Sequence, residues 1–380
     1  MSLSKINSFL KNFTKETPYL VIDLSLVTNF YKKLKKKFPN SLIYYAVKAN
    51  PAPEIIKCLK KEGSYFDVSS KKEIQLCLNE SVNPSHLSYG NTIKKAKDIL
   101  WAYNKGVRLF AFDSEEELNK ISINAKSSKV FCRLQVSNQG ANWPLSKKFG
   151  CSPEMAKKLM LCALKKGLIP SGLSFHVGSQ QINIDRWKDA LRICHEVYLY
   201  LKSNDIQIKF INIGGGFPVD YKDFKGNLDN FYNILNREIK KVFGLNKLQV
   251  ILEPGRVLVA PAGIIESEVV LVSRKSSKDK VRWVYIDIGR FGGLAEAEGE
   301  AIKYKIETSK KKNYNIGPVI IAGPTCDGAD IMYEKEYYQL PLNLKAGDRL
   351  KIYNTGAYTT VYASNFNSLE KLKEYFIKIT

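Results

Sequence analysis

Tyr44-Tyr45-Ala46-Val47-Lys48-Ala49-Asn50-Pro51 is the stretch on which the reading of the fold turns. An apolar, strand-like run ends on one lysine, and Asn50-Pro51 then turns the chain. This arrangement sets an amine at the mouth of a sheet with its stem anchored in the core. A lysine so placed is expected to be desolvated, which lowers its pKa and makes the neutral, nucleophilic amine accessible to a carbonyl carbon. The plainer alternative is a strand-end lysine whose stem lies along apolar surface while its head reaches water. The rest of the chain has to choose between them.

Seven further apolar runs follow at the spacing of parallel strands joined by helices. They are Tyr65–Val68, His86–Ser88, Leu109–Phe112, Val130–Val136, Leu173–Val177, Phe210–Ile213 and Val250–Glu253. Amphipathic stretches lie between them. Ser152-Pro153-Glu154 offers an N-cap, a first-turn proline and an acidic residue, and Gly167 closes that helix. Trp187, Leu191, Cys194 and Tyr198 repeat at helical spacing. Eight such units point to an α/β fold, a (β/α)8 barrel over 19–261, since such barrels take roughly 250 residues. An open doubly wound sheet would announce itself with a GxGxxG loop after its first strand, and none is present. Beyond Pro261 the pattern changes to strand-like runs at Ile264–Val272, Val281–Ile288, Val319–Ala322, Arg349–Tyr353 and Thr359–Ala363, with a helical pattern only at Leu369–Ile377. This predicts a C-terminal mostly-β domain over 262–380, with residues 1–18 as an N-terminal segment packing on it.

Composition narrows the function classes. The 380 residues are 44% hydrophobic, enough for a large core, and no apolar run approaches the roughly 20 residues of a membrane span. Seven cysteines, scattered and without CxxC pairs, together with three histidines, argue for reduced thiols in a cytoplasmic protein and against a zinc site. The net charge of +22 raises the question of nucleic acid. The lysines are dispersed, in runs such as Lys35-Lys36-Lys37 and Lys310-Lys311-Lys312, without interleaved aromatics. A nucleic-acid footprint is a local patch or groove, so this charge reads as a solvated surface.

Unusual residues gather where a barrel puts its chemistry, at the C-terminal ends of the strands. Lys48 follows the first run, Asp67 ends the second, and Arg133 lies within the fifth. His176 and Ser179 end the sixth, Gly214-Gly215-Gly216 follows the seventh, and Glu253-Pro254-Gly255-Arg256 follows the eighth. Three glycines after a strand either make a tight turn or expose N–H groups to an anion, and barrels often bind phosphate there, where Arg256 adds a cation. Glu253 ends an apolar strand, where a carboxylate is costly without a partner. That partner is either an arginine or the pyridinium N–H of pyridoxal phosphate (PLP), whose electron-sink character such an ion pair maintains. His176 is either a satisfied core histidine or a face for the cofactor ring.

Seven motifs in register extend the argument to nearly the whole chain: Tyr44–Pro51, Phe66–Ile74, Leu173–Gln180, Ile211–Pro218, Ile251–Arg256, Gly323–Asp330 and Asn354–Thr359. Their order and spacing resemble the fold-type III PLP-dependent decarboxylases, the ornithine and diaminopimelate decarboxylase group built on an alanine-racemase-like barrel plus a β domain. Val284–Tyr304 resembles the bacterial ornithine or lysine/ornithine branch. The resemblance implies PLP on Lys48, His176 stacked on its ring, and Glu253 at the pyridine nitrogen. It implies phosphate binding by Ser179, Gly215, Gly216, Arg256 and Tyr358, and orientation of lysine and cofactor by Asp67, Glu73 and Arg133. Cys326 and Asp327 look like a pair donated across a homodimer interface. Cys326 would protonate the substrate carbon after CO2 leaves, and Asp327 would hold the distal ammonium.

Substrate choice is read from charge. The diaminopimelate branch carries Cys-Glu where this chain has Cys326-Asp327. Here Glu296, Glu298, Glu300 and Asp327 make the region acidic, which suits ornithine, lysine or arginine. Glu300 sits where the family's second diamine-binding acid falls, with Glu296 beside it and Glu298 on a solvated face. Surface charge elsewhere is damped beyond about 8 Å at physiological salt, so the local carboxylates can dominate. The expectation is decarboxylation of L-ornithine to putrescine in polyamine biosynthesis, with lysine and arginine next. A silent regulatory relative or an alanine-racemase-type isomerase ranks lower, because the lysine, the cysteine-aspartate pair and the phosphate ligands are all present. One departure is Phe366-Asn367-Ser368, where the family usually has Phe-Asn-Gly.

Overall fold

The computed structural model describes residues 4–143, 148–244, 248–308 and 315–378, so the Lys310-Lys311-Lys312 run lies outside the described residues. The chain divides into two compact units. One comprises Thr28–Pro218 with Gly226–Val257, and the other Met1–Val27, Val219–Lys225 and Leu258–Thr380.

The first unit is a closed barrel of eight parallel strands in chain order: Ser41–Ala46, Tyr65–Val68, Leu87–Tyr89, Leu109–Phe112, Lys129–Arg133, Ile169–Ser174, Phe210–Asn212 and Gln249–Leu252. Closure comes from Val250 pairing with Ser41 and Leu252 with Ile43. Each strand falls on one of the eight apolar runs, with shifts of a few residues at the ends. Helices begin where capping side chains take the free N–H groups. Ser70 accepts from Glu73, Ser114 from Glu117, Ser152 from Met155 and Asn227 from Asn230. The helix Ile184–Ser203 buries Trp187, Leu191, Cys194, Val197 and Leu201, so its inner stripe runs through Val197 rather than Tyr198.

The second unit holds a mixed sheet in the order Ile306–Thr308, Arg349–Tyr353, Gly263–Ser273, Arg282–Ile286, Ile316–Ala322 and Ile331–Pro341. The anticipated barrel span of 19–261 is corrected here. Tyr19–Asp23 pairs antiparallel with Gly263–Ser273 and parallel with Lys373–Ile377, so it belongs to this sheet. Two further expectations change. Leu369–Ile377 is not a helix, because Lys373–Ile377 gains backbone partners along Tyr19–Asp23. Thr359–Ala363 is a turn, in which Thr359 Oγ1 donates to the Thr355 carbonyl at 2.7 Å and the Tyr362 and Ala363 N–H groups donate to the Thr359 carbonyl. In the N-terminal segment, Ile6 and Leu10 of the helix Ser4–Lys11 are buried with Tyr19, Val21, Ile264 and Tyr353.

Among the described residues no helix is long and apolar enough to cross a membrane, and no group of three His, Cys, Asp or Glu side chains is placed to hold a metal ion.

Candidate active site

The pleat of the barrel strands builds the site in two layers. Every second side chain of a barrel strand points inward. Tyr44, Ala111, Phe131, Phe210 and Ile251 form one buried apolar cluster with Leu42, Tyr65 and Leu109 against it. Tyr44 and Tyr65 stack at 4.9 Å, and Phe131 meets Phe210 edge-on at 5.7 Å. Gly172 is required beside them, because a Cβ there would enter the Phe210 ring. Two residues further along the same strands stand Asp67, Arg133, Asn212 and Glu253. The apolar layer is thus a floor, and a polar ring sits on it at the C-terminal rim.

Lys48 lies in the short 3-10 turn Val47–Ala49 directly beyond the first strand. Val47 and Ala49 are buried and anchor the turn, but Lys48 itself is exposed, so the expected desolvation is corrected. The Glu253–Arg256 turn nests against it. The Ala46 N–H donates to the Pro254 carbonyl at 3.1 Å, and a Cβ on Gly255 would lie 2.8 Å from the Ala49 Cβ.

Asp67 is only 5% exposed, and its Oδ1 has no hydrogen-bond partner among the described residues. Burial, and then the charge of Glu253, hold its carboxyl well above the usual range, while Lys48 and Arg133 pull it back. A Cβ on Gly90 would collide with this carboxylate. Glu73 is also raised by burial, opposed by the Ser69 N–H donating to its Oε2 at 2.6 Å and by Lys48. Burial lowers the Arg133 pKa, and Glu253, Asp113 and Asp67 counter it; the guanidinium lies 4.8 Å from the Phe149 ring centre. Burial, Arg133 and Lys48 together push His176 well below its ordinary value, so the imidazole is neutral. Its Nδ1 accepts from the Gly178 N–H at 3.0 Å, which assigns the proton to Nε2.

The glycine run is both a turn and a cradle. Gly214 and Gly216 have positive φ (+70° and +91°), and a Cβ on Gly215 would lie 2.6 Å from the Glu253 carbonyl and 3.3 Å from His176 Nε2. Asn212, absent from the sequence-based site, ties the parts together. Its Nδ2 donates to Glu253 Oε1, and its Oδ1 accepts from the Gly214 N–H at 2.8 Å. Arg256 is buried, and Ser179 opens the short strand Ser179–Gln181 paired with Ala141–Trp143. Asp113 was also missed; its Oδ2 accepts from the Gly150 N–H at 2.8 Å.

The remaining expected residues belong to the second unit. Cys326 and Asp327 are exposed on a loop fixed by buried Asp330, whose carboxylate accepts from the Thr325 hydroxyl at 2.8 Å and the Arg290 N–H at 2.7 Å. Gly289 and Gly323 leave room for that carboxylate, since a Cβ on either would strike it. Asn367 grips Cys326 twice. Its Oδ1 accepts from the Cys326 N–H at 3.0 Å, and its Nδ2 donates to Sγ at 3.1 Å. Asn367 and Ser368 both have positive φ (+55° and +58°), the left-handed region that favours glycine.

One of the acids, Glu300, is engaged elsewhere than expected. Glu300 Oε1 accepts the N–H groups of Lys335 (2.5 Å) and Glu336 (3.2 Å), and Lys303 lies 3.6 Å from Oε2, so its carboxylate braces the Ile331–Pro341 strand. Glu296 is buried. Glu298 is exposed and pairs with Arg290 at 3.1 Å. Tyr358 has positive φ (+56°) and stacks on Tyr362 at 6.2 Å.

A parallel barrel with this rim, in a chain that also carries a β unit, fits a PLP-dependent enzyme, and the comparisons make it a carboxy-lyase. Residues 24–260 match the family of the pyridoxal-dependent decarboxylases through its pyridoxal binding domain, and the chain belongs to that family. It is 31% identical over 352 residues to the lysine/ornithine decarboxylase of Selenomonas ruminantium, covering 92% of this chain and 87% of that protein. The crystal structure of SrLDC in complex with PLP and cadaverine superposes with a TM-score of 0.87 at 29% identity, covering 99% of this chain and 94% of that one. The arginine decarboxylase of Paramecium bursaria Chlorella virus gives 0.90 at 25% identity, covering 99% and 100%. The family therefore spans lysine, ornithine and arginine decarboxylases, uses PLP, and acts on small basic amino acids.

Proposed function

We propose that this chain decarboxylates L-ornithine to putrescine and CO2, a step of polyamine biosynthesis, as a cytoplasmic homodimer. The observation that carries the reading is the ring of Asp67, Arg133, Asn212 and Glu253 on an apolar floor beside Lys48, with acidic Asp327 rather than a cationic group next to Cys326.

The rim residues fit the cofactor. Glu253 is held by Asn212 in a fixed orientation, which suits a carboxylate that keeps a proton on a pyridine nitrogen. The neutral His176 presents a flat face without adding positive charge beside the ring. Gly215 and Gly216 lie close against the Glu253 and Gly178 carbonyls, and within the barrel unit their backbone, Arg256 and Ser179 would hold the phosphate. Lys48 would hold the cofactor through its side-chain amine, and Asp67, Glu73 and Arg133 set the charge around that amine. PLP, when bound, supplies the electron sink for the breaking bond between Cα and the carboxylate.

Cys326 donates the proton that replaces CO2 at Cα, with its sulfur held in place by Asn367. Asp327 holds the distal ammonium; Glu300 is committed to backbone N–H groups of the Ile331–Pro341 strand and acts by bracing it. Cys326 and Asp327 serve the partner's barrel in the dimer. CO2 release from ornithine, lysine, arginine and diaminopimelate, measured side by side with PLP, tests the assignment. Ornithine is expected to have the highest kcat/KM, and a preference for any of the others overturns it.

A further inference from the structure

Two cysteines outside the proposed chemistry stand together in the barrel unit. Cys132 is in the fifth barrel strand, immediately before Arg133, and Cys151 follows the loop that leaves the same strand. Their sulfurs are 3.6 Å apart. The backbone next to each cysteine is closely fixed. The Cys151 N–H donates to the Arg133 carbonyl at 3.0 Å, and the Gln135 N–H to the Cys151 carbonyl at 2.8 Å. Gly150 is locked in as well: its N–H is held by Asp113, and a Cβ there would lie 2.6 Å from the Gln135 nitrogen. A disulfide requires sulfurs about 2.05 Å apart, so about 1.5 Å separates the present contact from the bond.

We propose that Cys132 and Cys151 are an oxidisable pair that forms a reversible intrachain disulfide with a low-molecular-weight disulfide, such as oxidised glutathione, as oxidant. Cys151 is half-buried and Cys132 fully buried, which sets the order. The Cys151 thiolate attacks one sulfur of the oxidant, its S–S bond breaks, and one thiolate leaves. Cys132 then attacks the Cys151 sulfur of the mixed disulfide, and the second thiolate leaves. Two protein thiols lose two electrons and two protons, and one oxidant disulfide becomes two thiols. In the reduced pair the hydrogen bond with Cys151, and then burial, hold the Cys132 thiol well above its ordinary pKa, which leaves Cys151 as the thiol that meets the oxidant first. Phe149, two residues before Cys151, stacks on Arg133, so the bond tethers the residue beneath that guanidinium.

The test uses the full-length protein in glutathione buffers from fully reduced to fully oxidised, quenched in acid, alkylated and mapped by peptide mass spectrometry. Oxidation is expected to remove the alkylation of Cys132 and Cys151 together, to yield one linked peptide pair, and to be reversed by dithiothreitol. The amides of Gln135 and Cys151 should exchange hydrogen more slowly when oxidised. Cys151→Ser, or Cys151→Ala if the first folds poorly, should abolish the linked pair; the wild-type map decides the question without either. Both thiols remaining alkylatable at the oxidised extreme overturns the proposal. So does Cys151 held only as a glutathione adduct, or a link to another cysteine.

Discussion

Asn212 bridges Glu253 and Gly214, donating its amide N–H to the carboxylate and accepting the glycine N–H on its carbonyl oxygen. One neutral side chain thereby fixes both the acid proposed for the pyridine nitrogen and the first residue of the phosphate cradle. Asn212→Ala leaves a buried N–H without its acceptor and frees the Glu253 carboxylate, a loss of about 1–3 kcal/mol. Affinity for PLP, followed by cofactor fluorescence, should fall roughly tenfold or more. Asn212→Asp should weaken it further, because two carboxylates then face each other. Unaltered affinity in both variants would show that Glu253 needs no such support.

Lys48 makes the most direct prediction. Borohydride added to the PLP-loaded protein should fix the cofactor on the peptide containing Lys48, with loss of the absorbance near the visible edge. Lys48→Ala should show no labelling and lose activity by on the order of 10³ or more. Labelling at another lysine would move the site.

The grip of Asn367 on Cys326 predicts a change in kcat rather than in KM. Asn367→Ala removes two hydrogen bonds, each worth about 0.5–1.5 kcal/mol, and should lower kcat roughly tenfold while leaving the Asp327 contact and KM nearly unchanged. A rise in KM at constant kcat would assign Asn367 to substrate binding instead.

Asp67 predicts how stability depends on pH. Its folded pKa is raised by burial and by Glu253, so the folded state holds its proton where the unfolded chain has already released it. Its contribution is fully present below the ordinary carboxylate range and is lost as pH rises through the raised value. Asp67→Asn should therefore stabilise the cofactor-free protein at neutral pH and flatten the fall in stability with rising pH, as measured by denaturant unfolding at several pH values. An unchanged slope would place the titration on another group.

The barrel was legible because its strands are short apolar runs bounded by turn residues, a local signal at each of eight places. The rim residues were legible because polar groups at the ends of such runs stand out. Elements that depend on distant partners were not. Lys373–Ile377 carries helix-compatible charges and becomes a strand by joining Tyr19–Asp23, from the opposite end of the chain. Ile331–Pro341 escaped because its middle, Glu334-Lys335-Glu336, is solvent-facing and interrupts any apolar alternation. Asn212 lay in plain view two residues after Phe210, but nothing local says that its amide meets Glu253. Glu300 read as a substrate ligand by position, and its actual partners are backbone groups far along the chain.

The two-layer interior has a bearing on which sequence changes the barrel can absorb. Asp67, Arg133, Asn212 and Glu253 share the inward parity of Tyr65, Phe131, Phe210 and Ile251 on the same strands. Deleting a single residue between such a pair reverses the side on which the polar member emerges, carrying a charge or amide into the packed layer beneath the helices. Deleting that residue together with the apolar member preserves the side but lowers the polar member into the apolar floor. Length variation is therefore confined to the connecting loops, and the strands act as a reading frame for the chemistry at the rim.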